Sequence, residues 1–159
     1  MSPELGERGE GWVVLQVVGL AAVAVSALVG PRLPGGLRPP ARAAGIVLIA
    51  AGGWLAAPAL RQLGKFLTPL PRPSEAAALV QEGRYAVVRH PIYGGLVLLS
   101  TGVSLVSTRS LALASSAALA AFFRLKAGHE EEFLVERFPA YSAYRQRTPH
   151  LLLPWVSRT

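Results

Sequence analysis

Cysteine is absent from this 159-residue chain. Its absence excludes a disulfide framework, a thiolate nucleophile and any thiolate metal site. Charge is sparse as well: 16% of residues are charged against 52% hydrophobic, and the charges fall between long apolar blocks. One soluble core of this size has no room for several uncharged runs of nearly twenty residues, whereas a bilayer accommodates them. The short motifs of familiar soluble enzymes are missing too. There is no nucleophile elbow, no Gly-rich phosphate loop and no dinucleotide fingerprint. A zinc helix starting at His129 needs a second histidine at position 133, which is Phe133, so no metal is expected. The formal net charge of +7 does not indicate nucleic acid, because no reading motif accompanies it.

What the chain does have is four apolar runs. The first extends from about Trp12 to Gly30 without an internal charge, after an acidic start (Glu4, Glu7, Glu10). A cleaved leader prefers a basic start and a shorter apolar stretch, so this run reads as a retained anchor. Pro31, Pro34, Gly35, Gly36, Pro39 and Pro40 predict a loop over 31–42. The second run, 43–60, contains Gly52, Gly53 and Pro58. Its glycines suit close helix packing in lipid, and Pro58 predicts a kink near its end. The third, 91–107, starts at Pro91, where a missing N–H does no harm. A tight turn at Thr108, Arg109 and Ser110 leads into the fourth, 110–126, which continues without a breaker into an amphipathic stretch ending near Phe138. The chain thus reads as one all-α integral membrane domain over 1–159. Its four transmembrane helices come with a long polar loop and a polar, aromatic tail whose Leu151–Trp155 end would rest at the membrane interface.

Basic residues set the orientation. With four spans, twelve of the sixteen lie on the side of the N-terminus, the 61–90 loop and the tail; Arg32, Arg38, Arg42 and Arg109 lie on the other. Both termini are therefore expected in the cytosol.

The loop and tail share that side and hold all three histidines and all four tyrosines. Arg89 and His90 immediately precede a helix start, whose free N–H groups and positive dipole end favour an anion such as a carboxylate. Tyr85 and Tyr93 offer aromatic faces to a cation or an adenine ring. The same residue types also serve as interfacial anchors. Glu130, Glu131 and Glu132 by themselves read as a solvated helix face, and the 141–147 segment as a cover of aromatics and guanidinium groups.

Taken in order, Leu79-Val80, Gly83, Tyr85, Arg89-His90-Pro91, Tyr93, Gly95, Glu130-Glu131, Leu134, Phe138, Tyr144 and Pro154 resemble the isoprenylcysteine carboxyl methyltransferase family, a group that includes bacterial relatives and phospholipid N-methyltransferases. The resemblance covers about residues 64–155. It implies S-adenosylmethionine as cofactor, S-adenosylhomocysteine as product, and a pocket closed by the C-terminal segment over the cytosolic ends of a helical hairpin. Carried over residue by residue, the cofactor would touch Ala77, Ala78, Leu79, Val80, Tyr85, His90, Pro91, Ile92, Tyr93 and Glu130, with Arg89 and Tyr144 in support. Where the family has a substrate-side arginine this chain has Lys126, which keeps the charge without the bidentate fork. No residue is assigned to catalysis.

The implied activity is methyl transfer to an isoprenylcysteine-like or other lipophilic acceptor, with carboxylate methylation favoured. The alternatives are a phospholipid amine or small-thiol methyltransferase and a non-catalytic membrane protein that keeps the fold. The expected partners are membrane lipids and a lipophilic or lipidated substrate, in a prokaryotic plasma membrane.

Overall fold

The computed structural model describes residues 5, 6, 9–71 and 78–154, apart from the side chain of Lys65. Four long helices make up most of it: α1 (Glu10–Leu28), α2 (Arg38–Leu63), α3 (Pro91–Ser107) and α4 (Ser110–Arg137). A short α5 (Tyr141–Arg147) follows, and 3-10 turns occupy Gly35–Leu37, Gly64–Phe66 and Gly83–Ala86. Among the described residues there is no named strand.

Three helices (α1, α2 and α4) are long and apolar enough to cross a membrane. Their outer faces carry Val14, Leu15, Val17, Val18, Val25 and Leu28 on α1, Ile46, Val47 and Trp54 on α2, and Leu111 and Leu125 on α4, all exposed. Water does not tolerate so continuous an apolar surface; hydrocarbon matches it. The chain is an all-α integral membrane protein. At 17 residues α3 is about 25 Å long, shorter than the roughly 30 Å hydrocarbon core. It lies between α2 and α4 and buries Gly94, Gly95, Val97, Leu98, Ser100, Gly102 and Ser104. Protein rather than lipid surrounds much of it.

Small residues set the α2–α3 register. Gly45 faces Gly102 and Gly52 faces Gly95, so a methyl on Gly45 would stand 2.6 Å from the Gly102 carbonyl oxygen. One on Gly95 would meet Ala56 Cβ at 2.5 Å. Backbones this close maximise dispersion contact, the main attraction available between helices in lipid. Gly53 takes no part, with open space beside it. On the other flank α1 lies along α4. Trp12 stacks on His129, and Ser26 Oγ meets Ser115 Oγ at 3.0 Å. Val23, Val97, Leu119 and Phe123 form the core between α1, α3 and α4.

The α3–α4 turn is as tight as expected. Thr108 takes a left-handed conformation (φ 55°). The α1–α2 connection crosses this turn: Leu33 N–H donates to Thr108 O (2.8 Å) and Ser110 N–H to Pro31 O (3.1 Å).

Two boundaries correct the sequence reading. Helix α2 starts at Arg38, not near 43, because Pro39 and Pro40 sit in its first turn, where backbone N–H groups have no helical partner to lose. Pro58 lies well inside α2, which runs on to Leu63.

Candidate functional site

The chain turns into α3 through a fixed corner. Gly83 has φ +60°, a conformation that favours glycine, and the next N–H, of Arg84, donates to Gln62 Oε1 of α2 (3.1 Å). Tyr85, Val88, Arg89 and His90 then follow as buried residues, and Pro91 opens the helix. Opposite this corner, α4 continues past Lys126 and turns Glu130 and Glu131 inward, leaving Glu132 exposed at 58% of its side chain. The solvated-face reading therefore holds for one carboxylate of the three.

Those two glutamates and the corner form one network. Tyr93 Oη donates to Glu130 Oε1. His90 lies between the carboxylates, with Nδ1 3.5 Å from Glu130 Oε2 and Nε2 3.4 Å from Glu131 Oε1. Arg89 Nε donates to Glu131 Oε1 (2.5 Å), its Nη2 to Glu131 Oε2 (3.4 Å) and its Nη1 to Thr148 O (2.8 Å). Burial alone would lower the His90 pKa, but hydrogen bonding to Glu130 and Glu131 and their charges outweigh it and raise the value above that of an ordinary histidine. Burial also raises the Tyr85, Tyr141 and Tyr144 hydroxyls above the usual tyrosine range; the neighbouring Arg89 charge offsets part of this at Tyr144.

The C-terminal segment closes over the corner by backbone pairing. Arg89 N–H donates to His150 O (3.0 Å) and His90 N–H to Leu151 O (2.9 Å). Tyr144 Oη donates to Tyr85 O (2.6 Å). Leu151 is buried, while Leu152 and Leu153 pack against the two core clusters. The leucines pack on protein: the tail lies so close to α3 that a methyl on Gly94 would overlap the Leu152 carbonyl. Gly94 thus admits the tail, and Gly95 admits α2. Trp155 lies outside the described residues.

Under this cover is a cavity of about 350 Å³. Leu79, Val80, Tyr85, His90, Ile92 and Tyr93 line it, as do Ala78, Pro91 and Glu130. Arg89 and Tyr144 reach it too. Ala77 lies outside the described residues. Lys126 is absent from the lining: it is fully buried, its ammonium 5.2 Å from the Tyr93 ring centre, and it donates to Gln16 Oε1 (2.6 Å) and Pro69 O (2.8 Å).

Sequence reasoning passed over several lining residues. Gln16 projects from α1, and Leu60, Leu63, Phe66 and Leu67 supply an apolar wall from the end of α2 onward, while Tyr141, expected in the covering 141–147 segment, lines the cavity too. Glu131 belonged to the Glu130-Glu131 pair of the resemblance, but no role was read for it there, and it is the main anchor of Arg89. A signal existed for Gln16, since Gln16 and Ser26 are the only polar side chains in the 12–30 run and a polar group inside a span marks a site by default. No periodicity announced the wall.

The sequence model of the family described as phospholipid methyltransferase matches residues 40–140. Protein-S-isoprenylcysteine O-methyltransferase B of Arabidopsis thaliana is 32% identical over 109 residues, covering 66% of this chain and 55% of the relative. The solved structure of a eukaryotic intramembrane Ras methyltransferase, an isoprenylcysteine carboxyl methyltransferase, superposes with a TM-score of 0.65 at 21% identity, covering 96% of this chain and 55% of that one. The chain spans about half the length of each of these two proteins.

Proposed function

The chain belongs to the phospholipid methyltransferase family, and on that premise we propose that it is an S-adenosylmethionine-dependent membrane methyltransferase. Its acceptor is isoprenylcysteine-like or otherwise lipophilic, and a carboxylate is the favoured methylated group. One observation carries this reading: Ala78–Val80, Tyr85, Arg89–Tyr93 and Glu130, far apart in the chain, line a single cavity at one end of the α3–α4 hairpin, where Tyr93 meets Glu130.

The residues present suit the cofactor. A volume of about 350 Å³ falls in the range of small-molecule sites. Tyr141 Oη and His90 Nε2 are buried beside the cavity with no well-formed hydrogen bond, His90 Nε2 keeping only its 3.4 Å contact with Glu131 Oε1, an arrangement that a bound polar molecule would complete. Adenosylmethionine supplies an already activated methyl group on a sulfonium. Glu130 is placed to accept hydrogen bonds from a polar part of it, and Tyr85 and Tyr93 to shape the surroundings of a cation. Leu79, Val80 and Ile92 provide an apolar wall, and the start of α3 favours an anionic end. Arg89, bonded to Glu131 and Thr148, supports the pocket by holding its walls together, as Tyr144 does through Tyr85. With an activated methyl donor, the protein's task is to position the reactants and exclude water.

Calorimetric titration of the detergent-purified protein with S-adenosylmethionine and S-adenosylhomocysteine tests the site. Saturable binding, lost in Glu130→Ala, is expected; no binding to folded wild type removes the proposal. The family match and the apolar wall also support a second acceptor class, a phospholipid amine. Parallel methyl-transfer assays on a prenylcysteine acid, a small thiol and phosphatidylethanolamine separate the acceptors, and transfer to none of them, with cofactor binding intact, leaves a non-catalytic member.

The excess of basic residues on the side of the N-terminus, the 61–90 loop and the tail supports an orientation with the cavity end and both termini in the cytosol, and a prokaryotic plasma membrane is the setting we propose. Because the chain has no cysteine, single cysteines at Gly36 and Gln81 report sidedness without background. An impermeant thiol reagent should label the first from outside and not the second.

A further inference from the structure

Helix α1 lies outside the residues that match the family model, yet it contributes Gln16 to the cavity. The geometry at Gln16 is chemically directional. Lysine has donors only, so the atom of the amide that faces Lys126 Nζ must be its oxygen, as the 2.6 Å contact has it. The Gln16 NH2 group is thereby turned away from Lys126, and no described residue accepts from it. Lys126 is 0% exposed, and both of its hydrogen-bond partners, Gln16 Oε1 and Pro69 O, are neutral. Among the described residues no carboxylate comes within ion-pair distance of it. The nearby Glu130 is occupied by Tyr93 and His90. A buried ammonium without a paired anion polarises the amide in front of it, leaving the positive end of the amide dipole on the far side.

We infer that Gln16 recognises the carboxylate of the lipophilic methyl acceptor, donating from Nε2. Lys126 acts as a positioning residue: it holds the amide in this orientation and adds its field from behind, without touching the acceptor. The inference rests on the acceptor reading above and refines it, because it moves the contact expected of Lys126 onto a helix that the resemblance did not cover.

The test compares binding of N-acetyl-S-farnesylcysteine with that of its carboxamide, which has the same lipid and no charge. Wild type should bind the acid more tightly, and Gln16→Leu should erase the preference, a change of about 10- to 100-fold for one hydrogen bond to a charged group. Gln16→Glu guards against misfolding, since it keeps an acceptor for Lys126 and turns a negative oxygen to the cavity; it should reject the acid while the melting temperature holds. Lys126→Met should weaken the preference, and the double variant should lose no more than Gln16→Leu alone. If Gln16→Leu and Gln16→Glu retain the preference while Lys126→Met abolishes it, lysine contacts the acceptor directly and the inference falls. It falls as well if wild type shows no acid preference. Adenosylmethionine binding, measured on the same samples, distinguishes that failure from failure of the methyltransferase reading itself.

Discussion

The flank of α3 against α2 and the start of α3 are held by different physics. Along its length, α3 meets α2 through Gly45, Gly52, Gly95 and Gly102, a seam with no charge and little side chain, where attraction comes from close backbone approach. At its start the same helix is fixed by Arg89, His90, Glu130, Glu131 and the backbone of residues 148–151, a fully polar junction at the mouth of the bundle. The seam tolerates no added volume, whereas the junction tolerates no lost partner. Stability and binding are thereby separated along one helix. Apolar packing holds the hairpin together, and a compact polar network shapes the cavity at its end.

That contrast can be broken at either side. The largest effect should come from Glu131→Ala, which leaves the buried Arg89 guanidinium without its carboxylate; loss of one partner of a buried pair costs about 3–5 kcal/mol. The loss would appear as a fall in detergent melting temperature, and as faster proteolysis of the C-terminal segment if Arg89 also lets go of Thr148. Unchanged protection of that segment would show that the backbone pairing suffices to hold it. Next, Gly95→Ala drives a methyl against Ala56 and should destabilise by about 1–3 kcal/mol, while Gly53→Ala, facing open space, should be silent or slightly stabilising. Equal behaviour of the two would contradict the seam.

A smaller effect is expected from Tyr93→Phe, which removes one hydrogen bond to Glu130. About 1.5 kcal/mol of stability should go, the low end for a hydrogen bond to a charged group, and cofactor affinity should fall with it in the calorimeter. The smallest concerns pH. The folded pKa of His90 is raised, so the stability due to its charged form is complete below the unfolded value of about 6.5. It is lost as pH rises through the folded value. Melting temperatures measured upward from pH 6 should therefore decline more in wild type than in His90→Gln. Parallel curves would assign the slope to another group.

Much of the fold was legible because lipid imposes a simple rule. A segment that crosses hydrocarbon must satisfy its own backbone, so long uncharged runs read as helices. The hairpin turn and the uninterrupted helix from Ser110 to Arg137 followed from the absence of a breaker. The early start of α2 was missed, because Pro39 and Pro40 read as loop residues until their place in a first turn is known. The site was legible where motif residues cluster, at 78–93 and Glu130, and illegible where single residues enter from elsewhere. Gln16 lies far ahead of that cluster in the chain, and nothing in its local sequence relates it to those residues.

By itself, the sequence determined that this chain belongs in a bilayer as an all-α protein, and that its polar chemistry gathers at one end of the hairpin. Composition and run length suffice for this, since transfer into hydrocarbon acts on each segment separately. Tertiary structure alone decided that Glu131 holds Arg89 and that Glu130 meets Tyr93. It alone set Lys126 behind the cavity wall and brought Gln16 to the lining. Those outcomes depend on helix rotation and on contacts between residues distant in the chain, and such contacts exist only once the helices have packed.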